Sequence, residues 1–542
     1  MPPALRGADA LVRTLERAGI DTVFSLSGNH IMPVYDAAFG RPITLLHTRH
    51  EAAAVHMADA WARLTGEVGV ALVSAGQGHA NAVGALCTAL AGETPLVLLS
   101  GHAPLNELGM GSFQEQDQAA LAAPAAKAAW VVQSPGAVAG ELARAMRLAA
   151  SGRPGPVQLN LPSDVLEGFC GMPEAALPAE PPPPEPAALP RMLRALADAA
   201  RPLVLAPPAL ATPQGRVLLA RLEAALGVPV LAMESPRGVN DPAQGALAEL
   251  LGQANLILLL GKALDFTLRF GGPPFAADAA WMVLEPEAAL RDRAVRLLGA
   301  RLALAAAAEP ARAARWLAGG AAQAGMGSGH GAWRAAAQRL LGVRPPSWND
   351  AADGLDGALH PVTIGRAVQD FFDRHGGVLV ADGGEFSQWA QALVRAPERV
   401  INGPAGAIGP SLPFAIGAAV ARPGVPVVAM LGDGTFGYHM AEFETALRHR
   451  LPVIAVIGND GRWNAEHQIQ CRSYGADRAH GCTLSPDIRY DLAVAALGGH
   501  GEFVTRAQDL PAALERAHAS GRAACVNLRL LSLPAPTIRT VG

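Results

Sequence analysis

The sequence has 542 residues, of which 50% are hydrophobic and 17% are charged, and its formal net charge at pH 7 is -4. This balance is typical of a compact globular protein and excludes a disordered chain. The small net charge provides no basic field for nucleic acid or for an anionic membrane surface, so we expect neither partner. The cysteines lack C-x-x-C spacing, which argues against a zinc site. No apolar run is as long as a membrane-spanning helix, and we therefore expect a cytoplasmic protein.

The first third of the chain alternates helix patterns with strand patterns. ADALVRTLERAG and EAAAVHMADAWARLTG have helical spacing, whereas TVFSLSG, ITLLHT, VGVALVSAG and PLVLLSG are typical of strands. Strands that alternate with helices predict a parallel sheet covered by crossover helices. We expect this first domain over residues 1–175, with ligands bound at the carboxyl ends of its strands.

A proline-rich stretch, PAEPPPPEPAALP, follows the first block. Proline lacks an amide donor and has a fixed φ angle, so the stretch predicts a stiff linker over residues 176–190. A second alternating block predicts a central α/β domain over residues 191–340, and a third block predicts another over residues 355–542. The predicted fold class is α/β, with three doubly wound parallel-sheet domains that share an architecture but show no sequence repeat.

In the third block, a Gly-Asp-Gly turn is predicted between the strand VPVVAML and one amphipathic helix, GYHMAEFETALRHR. The 24 residues between Gly434 and Asn459 suffice for that helix and a returning strand. A right-handed βαβ unit brings both strand ends to one edge of the sheet, so Asp433 and Asp460 should be neighbours. Two carboxylates beside a helix N-terminus suit Mg²⁺ bound to a diphosphate. Two structural turns remain the alternative from these residues alone.

The GDG turn followed by GND resembles the signature of thiamine diphosphate-dependent enzymes. TRHEAAAVHMADAWAR and GAIGPSLPFAIGAAVA resemble two further segments of this family, in the same order along essentially the whole chain. The resemblance implies a pyrimidine-binding, a central and a diphosphate-binding domain. It also implies thiamine diphosphate and Mg²⁺ as cofactors, and a homodimer or homotetramer with active sites at the subunit interface.

Transferred residue by residue, the resemblance assigns the metal to Asp433, Asp460 and the main-chain oxygen of Arg462. The family usually has Asn where this chain has Asp460, and the added negative charge puts the metal affinity in doubt. Ile408 would bend the cofactor, and the carbonyl of Gly406 would receive its amine. The implied cofactor contacts are Gly383, Gly384, Gly406, Ile408, Gly432, Asp433, Gly434, Thr435, Asp460 and Trp463.

Glu51 corresponds to the glutamate that activates the cofactor in this family. A carboxylate on the pyrimidine ring would favour the tautomer that takes a proton from the thiazolium ring. The cofactor can then hold the electron pair released when a carbon–carbon bond next to a carbonyl breaks. The alternative is that Glu51 only complements the dipole of the helix that it begins.

Two loops of the first domain, LSGNHIMPVYDAA and MGSFQEQDQ, contain His30 and Gln114. They resemble the loops that carry the histidine and glutamine of benzaldehyde lyase. This resemblance implies that both side chains contact substrate oxygens and relay protons while an acyloin is cleaved or formed. An ordinary structural role is the alternative for each.

The central stretch LGKALDFTLRFGGPPF resembles 2-hydroxyacyl-CoA lyases and oxalyl-CoA decarboxylases, whose central domain binds an ADP moiety. Lys262 and Arg269 could contact the phosphates of ADP or CoA, or could form a solvated surface. The leading hypothesis is a lyase or carboligase for 2-hydroxy ketones, 2-hydroxyacyl-CoA thioesters and aldehydes. The alternatives are a 2-oxo acid or oxalyl-CoA decarboxylase, an acetolactate synthase-type ligase, and a non-catalytic cofactor-binding subunit.

Overall fold

The computed structural model describes residues 5–171 and 186–540, and these group into two compact units. The first unit contains residues 5–171 together with two later segments, Pro413–Arg422 and His439–His449. The second unit contains the remaining described residues. No helix in these ranges is both long enough and apolar enough to cross a bilayer.

The first unit is built on a sheet whose strands are separated by helices. Its strands are β1 (Leu5–Arg6), β2 (Thr22–Ser25), β3 (Thr44–His47), β4 (Gly69–Val73), β5 (Leu96–His102), β6 (Ala128–Val131), β7 (Pro156–Pro162) and β8 (Phe169–Cys170). Its helices are α1 (Gly7–Arg17), α2 (Met32–Ala38), α3 (Glu51–Thr65), α4 (Gln77–Ala91), α5 (Gln118–Ala122), α6 (Val138–Ala150) and α7 (Ser163–Glu167).

Six of these strands form a parallel sheet in the order β3-β2-β4-β5-β7-β6, and β1 pairs antiparallel with β8. Every residue of β4, β5 and β7 is buried. Such continuously buried strands fit a parallel sheet that has helices on both faces. The carboxyl ends of all six strands therefore lie along one edge.

The second unit begins with the central sheet. Its strands are β9 (Pro202–Ala206), β10 (Val230–Ala232), β11 (Leu256–Leu260), β12 (Ala280–Leu284) and β13 (Leu302–Ala306). Its helices are α8 (Leu189–Asp198), α9 (Pro213–Leu226), α10 (Leu247–Gln253), α11 (Ala288–Leu298), α12 (Pro310–Gln323) and α13 (Gly331–Gly342).

The central sheet is parallel, in the order β10-β9-β11-β12-β13. Alternate residues of β11 enter two separate apolar clusters, since Leu256, Leu258 and Leu260 belong to one and Ile257 and Leu259 to the other. This alternation follows from the two-residue period of a strand. The sheet is thus buried on both faces.

The predicted linker differs from the structure at its end. Residues 176–185 of that prediction lie outside the described residues, and helix α8 already begins at Leu189. Pro190 occupies the first turn of this helix, where no amide donor is needed.

The third sheet follows in the second unit. Its strands are β14 (Val378–Ala381), β15 (Glu398–Ile401), β16 (Val427–Gly432), β17 (Val453–Asn459), β18 (His500–Val504) and β19 (Ala524–Arg529). The helices of this part are α14 (Pro361–His375), α15 (Gly384–Leu393), α16 (Ser411–Ala421), α17 (Asp433–His439), α18 (Glu442–Arg448), α19 (Asn464–Tyr474), α20 (Tyr490–Ala496) and α21 (Leu510–Ala519).

This sheet is parallel in the order β15-β14-β16-β17-β19-β18, which repeats the connectivity of the first sheet. The predicted α/β class with three parallel sheets is confirmed. The proposed domain limits stay a prediction, because the described residues group into two units and most of α16 and α18 lies in the first.

The predicted GDG turn and the single helix after it are wrong. Strand β16 ends at Gly432 and helix α17 begins at Asp433, so strand passes directly into helix. The predicted helix is also divided in two, α17 and α18, because the chain passes from the second unit to the first at His439. A local helical pattern does not register such a change of packing partner.

Candidate functional site

The carboxyl ends of β14, β16 and β17 carry the acidic and glycine residues selected from the sequence. Gly383 and Gly384 follow β14, Asp433 follows β16, and Asp460 follows β17. The strand order reverses direction at β14 and β16, and ligands of doubly wound sheets bind in the crevice at such a point.

A cavity of about 180 Å³ lies at this edge. All of the cofactor and metal residues predicted in the third domain line it: Gly383, Gly384, Gly406, Ile408, Gly432, Asp433, Gly434, Thr435, Asp460, Arg462 and Trp463. The structure thus brings together residues that are up to 80 positions apart. Their roles remain predictions.

Both carboxylates of the cavity have raised pKa values. Burial, and then the charge of Asp460, raises the pKa of Asp433 to about 7. Burial raises the pKa of Asp460 to about 6. Two acidic groups held together with little water favour a bound cation or proton, because either relieves the repulsion.

The residues present fit a divalent cation. Asp433 is 2% exposed, and its Oδ2 atom has no hydrogen-bond partner among the described residues. Over the same residues, no group of three or more His, Cys, Asp or Glu side chains could hold a metal. The remaining ligands would therefore be main-chain, water or diphosphate oxygens, which suits Mg²⁺.

Two glycines of this cavity allow a neighbouring side chain to lie close to the backbone. A Cβ atom on Gly434 would lie 2.8 Å from ring carbons of Trp463. A Cβ atom on Gly383 would lie 2.7 Å from Cγ2 of Ile408. Both glycines therefore leave room for a side chain that was predicted to contact the cofactor.

Asp382 braces the same cavity and was not selected from the sequence. Its carboxylate accepts hydrogen bonds from the amides of Gly383 at 2.6 Å and Gly409 at 3.0 Å, and from Oγ of Ser411 at 2.6 Å. It thereby connects the end of β14 to the loop that carries Gly406 and Ile408. The available signal was an acidic residue directly after a buried strand, in ADGGE.

The predicted residues of the first unit also lie at strand ends. His30 follows β2, Glu51 follows β3, and Gln114 lies in the loop after β5. Since these strands are parallel, the three loops lie along one edge of the sheet.

Glu51 is the first residue of α3, and its carboxylate has a defined environment. Asn81 donates a hydrogen bond from Nδ2 to Oε2 of Glu51 at 3.1 Å. A Cβ atom on Gly78 would lie 3.3 Å from Oε1 of Glu51 and 3.5 Å from Cβ of Ser74. The carboxylate is therefore oriented by α4 and close to the loop after β4.

The loop that carries Gln114 reaches His30, because Phe113, which directly precedes Gln114, contacts the His30 ring. The ring of His30 stacks on Phe113 with centroids 5.8 Å apart, and Nδ1 of His30 lies 3.5 Å from Oγ of Ser74. Gln114 has a φ angle of 58° and donates a hydrogen bond to Gln77 at 3.1 Å. Burial lowers the pKa of His30, so its imidazole is neutral at pH 7.

Glu442 positions the start of the Glu51 helix and was also missed. Its two carboxylate oxygens accept hydrogen bonds from the amide of Arg49, at 3.0 and 3.2 Å. Oγ1 of Thr445 donates to the same carboxylate at 2.6 Å. Nothing local predicts this contact, because Arg49 and Glu442 are 393 positions apart.

The two basic residues of the central domain that were predicted to contact phosphates, Lys262 and Arg269, have different environments. Nζ of Lys262 lies 2.8 Å from Oδ2 of Asp265, and the lysine side chain is only 2% exposed. Arg269 is exposed and has a φ angle of 50°. Lys262 is thus already paired, which weakens its assignment to a phosphate.

Both halves of the chain match domains of one known protein family. Residues 5–121 match the N-terminal TPP binding domain of thiamine pyrophosphate enzymes, and residues 382–528 match their C-terminal TPP binding domain. Thiamine pyrophosphate (TPP) is another name for thiamine diphosphate.

Similar proteins match over most of the length of this chain. The chain is 34% identical over 539 residues to a probable acetolactate synthase of Mycobacterium bovis, covering 96% of this chain and 94% of that protein. It is 30% identical over 566 residues to 2-hydroxyacyl-CoA lyase 2 of Homo sapiens, covering 92% and 85%. It is 30% identical over 501 residues to the acetolactate synthase large subunit of Parasynechococcus marenigrum, covering 85% and 77%.

Proposed function

We propose that this chain, which belongs to the thiamine pyrophosphate enzymes, is a carbon–carbon lyase or carboligase. Its substrates would be 2-hydroxy ketones or 2-hydroxyacyl-CoA thioesters, and aldehydes in the joining direction. The observation that carries the proposal is the pair Asp433 and Asp460 in one cavity, with a buried carboxylate oxygen of Asp433 left unpartnered within the described ranges.

Asp433, Asp460 and the main-chain oxygen of Arg462 would hold Mg²⁺, and the ion would hold the diphosphate. The amides at the start of α17 would add donors for the same anion. Ile408 and Trp463 would contact the rest of the cofactor. When bound, thiamine diphosphate supplies the electron sink for cleavage next to a carbonyl.

Glu51 would hold a proton at the pyrimidine ring of the cofactor. Asn81 supports this role because its hydrogen bond fixes one carboxylate oxygen and leaves Oε1 directed at the space beside Gly78. Because the family places one cofactor between two chains, the working assembly would be a homodimer or homotetramer, which we expect in the cytoplasm.

His30 and Gln114 would select the reaction. A neutral imidazole at pH 7 can accept the hydroxyl proton of an acyloin when its carbon–carbon bond breaks. The Gln114 amide would hydrogen-bond a substrate oxygen. These polar groups suit a hydroxyl-bearing substrate better than a 2-oxo acid.

An acetolactate synthase-type ligase or a decarboxylase is the second candidate. The similarity to the mycobacterial acetolactate synthase favours it. In that case, pyruvate, benzoylformate or oxalyl-CoA would release CO₂ on the cofactor-loaded enzyme. A CoA substrate would also require phosphate contacts in the central domain, and the ion pair of Lys262 with Asp265 leaves Arg269 as the candidate there.

The test compares wild type with His30→Ala, with the exposed His480→Ala as control. We expect His30→Ala to retain cofactor uptake but to cleave an acyloin such as benzoin about a hundredfold more slowly, as loss of a general acid–base group does. Normal cleavage by His30→Ala would defeat the assigned role. CO₂ release without acyloin cleavage in the wild type would favour the second candidate.

A further inference from the structure

A second cavity lies in the second unit, between the edges of two sheets. It measures about 340 Å³ and is lined by residues of the edge strand β10 and by residues that precede and begin the edge strand β15. It shares no lining residue with the cavity that contains Asp433. Its volume lies within the range of small-molecule sites.

The charged side chains that line this cavity are arginines. Arg216 comes from α9, Arg395 from the loop before β15, and Arg399 from β15 itself. Within residues 186–540, no Asp or Glu side chain is part of the lining. The cavity therefore presents a positive surface.

One buried carboxylate behind the lining orients two of these arginines. Glu234 forms ion pairs with Arg216 and Arg399, and Nε of Arg399 donates to it at 2.8 Å. Each guanidinium has five N–H donors, so these pairs leave donors for a ligand. Arg395 forms no side-chain ion pair with the residues that the structure describes.

The nearby charges preserve the positive excess. Arg344 donates to the carbonyl of Ala243, which lines the cavity. Asp241 is buried beside the cavity, where Gln244 donates a hydrogen bond to it, and burial raises the pKa of its carboxyl. Arg344 thus adds a fourth guanidinium beside the cavity, against the two carboxylates of Glu234 and Asp241.

Gln391 provides an independent indication of a ligand. It is 3% exposed and lines the cavity, yet neither its Oε1 nor its Nε2 has a hydrogen-bond partner among the described residues. A buried amide without partners is costly. A bound molecule with a polar group could satisfy both amide atoms.

We propose that this cavity binds a small phosphorylated organic anion. Arginines bind phosphate oxygens through paired N–H donors, and Gln391 would hydrogen-bond the organic part. Leu231, Leu341 and Val394 supply an apolar wall for that part. The site is separate from the cofactor and the reacting carbonyl, so its ligand is an effector or a structural anion.

The test uses full-length protein loaded with thiamine diphosphate and Mg²⁺, so that the Asp433 cavity is already filled. Calorimetric titration with inorganic phosphate, glycerol 3-phosphate and AMP compares wild type with Arg395→Gln and Gln391→Leu. Arg522→Gln, at an exposed position, is the control. Cofactor uptake and thermal unfolding establish that each variant is folded.

We expect saturable binding of at least one organic phosphate to wild type and to Arg522→Gln. Arg395→Gln should bind it about tenfold more weakly, because a charge-assisted hydrogen bond is lost. Gln391→Leu should weaken the binding of organic phosphates and leave the affinity for inorganic phosphate unchanged. The proposal is overturned if no probe binds saturably, or if binding is equal in wild type and both cavity variants. These readouts do not depend on the reaction that the enzyme performs.

Discussion

Asp433 and Asp460 follow neighbouring parallel strands, and the charge of Asp460 contributes to the raised pKa of Asp433. The structure holds two carboxylates in one small cavity, where burial disfavours the ionisation of both and the charge of Asp460 adds to the effect on Asp433. This arrangement is unfavourable at neutral pH without a counterion. A cation bound at this edge of the third sheet would therefore be stabilised by both carboxylates.

The first prediction concerns pH and stability. The pKa values of Asp433 and Asp460 are raised to about 7 and about 6 from an ordinary value of 3.8. Between these values the folded state binds more protons than the unfolded state. The metal-free protein therefore loses stability as pH rises from 3.8, and the loss is complete above about 7. We expect the increase in unfolding temperature on adding Mg²⁺ and thiamine diphosphate to grow from pH 5 to pH 8.

Thermal unfolding in chelator, with and without the cofactors, measures this growth. Asp460→Asn removes one charge and should reduce the dependence on pH. An equal shift at both pH values in the wild type would contradict the prediction.

The second prediction compares two glycines of helix α17. A Cβ atom on Gly434 would lie 2.8 Å from Trp463, whereas one on Gly437 would meet nothing within 4 Å. Gly437→Ala should stabilise the fold by about 0.5–1 kcal/mol, because it reduces the freedom of the unfolded chain. Gly434→Ala should displace the indole and weaken uptake of thiamine diphosphate, measured by tryptophan fluorescence. Equal affinities in the two variants would argue against Trp463 as a cofactor contact.

The third prediction concerns Glu51. We expect Glu51→Gln to slow hydrogen–deuterium exchange at C2 of the bound cofactor by about a hundredfold, since an amide cannot hold the proton in the same way. The partner Asn81 should retain a hydrogen bond to the new side chain, so the fold should be unchanged. Quenched-flow NMR measures the exchange, with the exposed Glu67→Gln as control. Wild-type exchange in Glu51→Gln would leave only the structural role at the start of α3.

The fourth prediction concerns Asp382. Removing its carboxylate in Asp382→Ala leaves buried amides of Gly383 and Gly409 without an acceptor. We expect the free energy of unfolding to fall by about 3 kcal/mol, and cofactor affinity to fall with it, because the loop of Ile408 loses its anchor. Denaturant unfolding and cofactor titration measure both, with the exposed Asp278→Ala as control. A loss of stability with full cofactor affinity would limit Asp382 to a structural role.

Much of this architecture could be predicted from local patterns. The runs around β4, β11 and β16 are apolar and bounded by glycine or polar residues, and strand–helix alternation restricts them to parallel sheets. The prediction that Asp433 lies near Asp460 rested on a βαβ unit, whose two parallel strands end at the same edge of the sheet. The family resemblance was confirmed by both matched domains.

Long-range contacts could not be predicted in this way. The division of GYHMAEFETALRHR into two helices, and the hydrogen bonds from Arg49 to Glu442, depend on which unit the segment joins. The cavity around Gln391 depends on two sheet edges that come together from separate parts of the chain.

Fold class and the chemical type of the candidate site thus arise from patterns within a few dozen residues, where periodicity and turn chemistry act. The anchoring of α3 by Glu442, the bracing by Asp382 and the arginine-lined cavity arise only on folding. Burial and partnership of a polar group depend on residues hundreds of positions away, and no local preference encodes them.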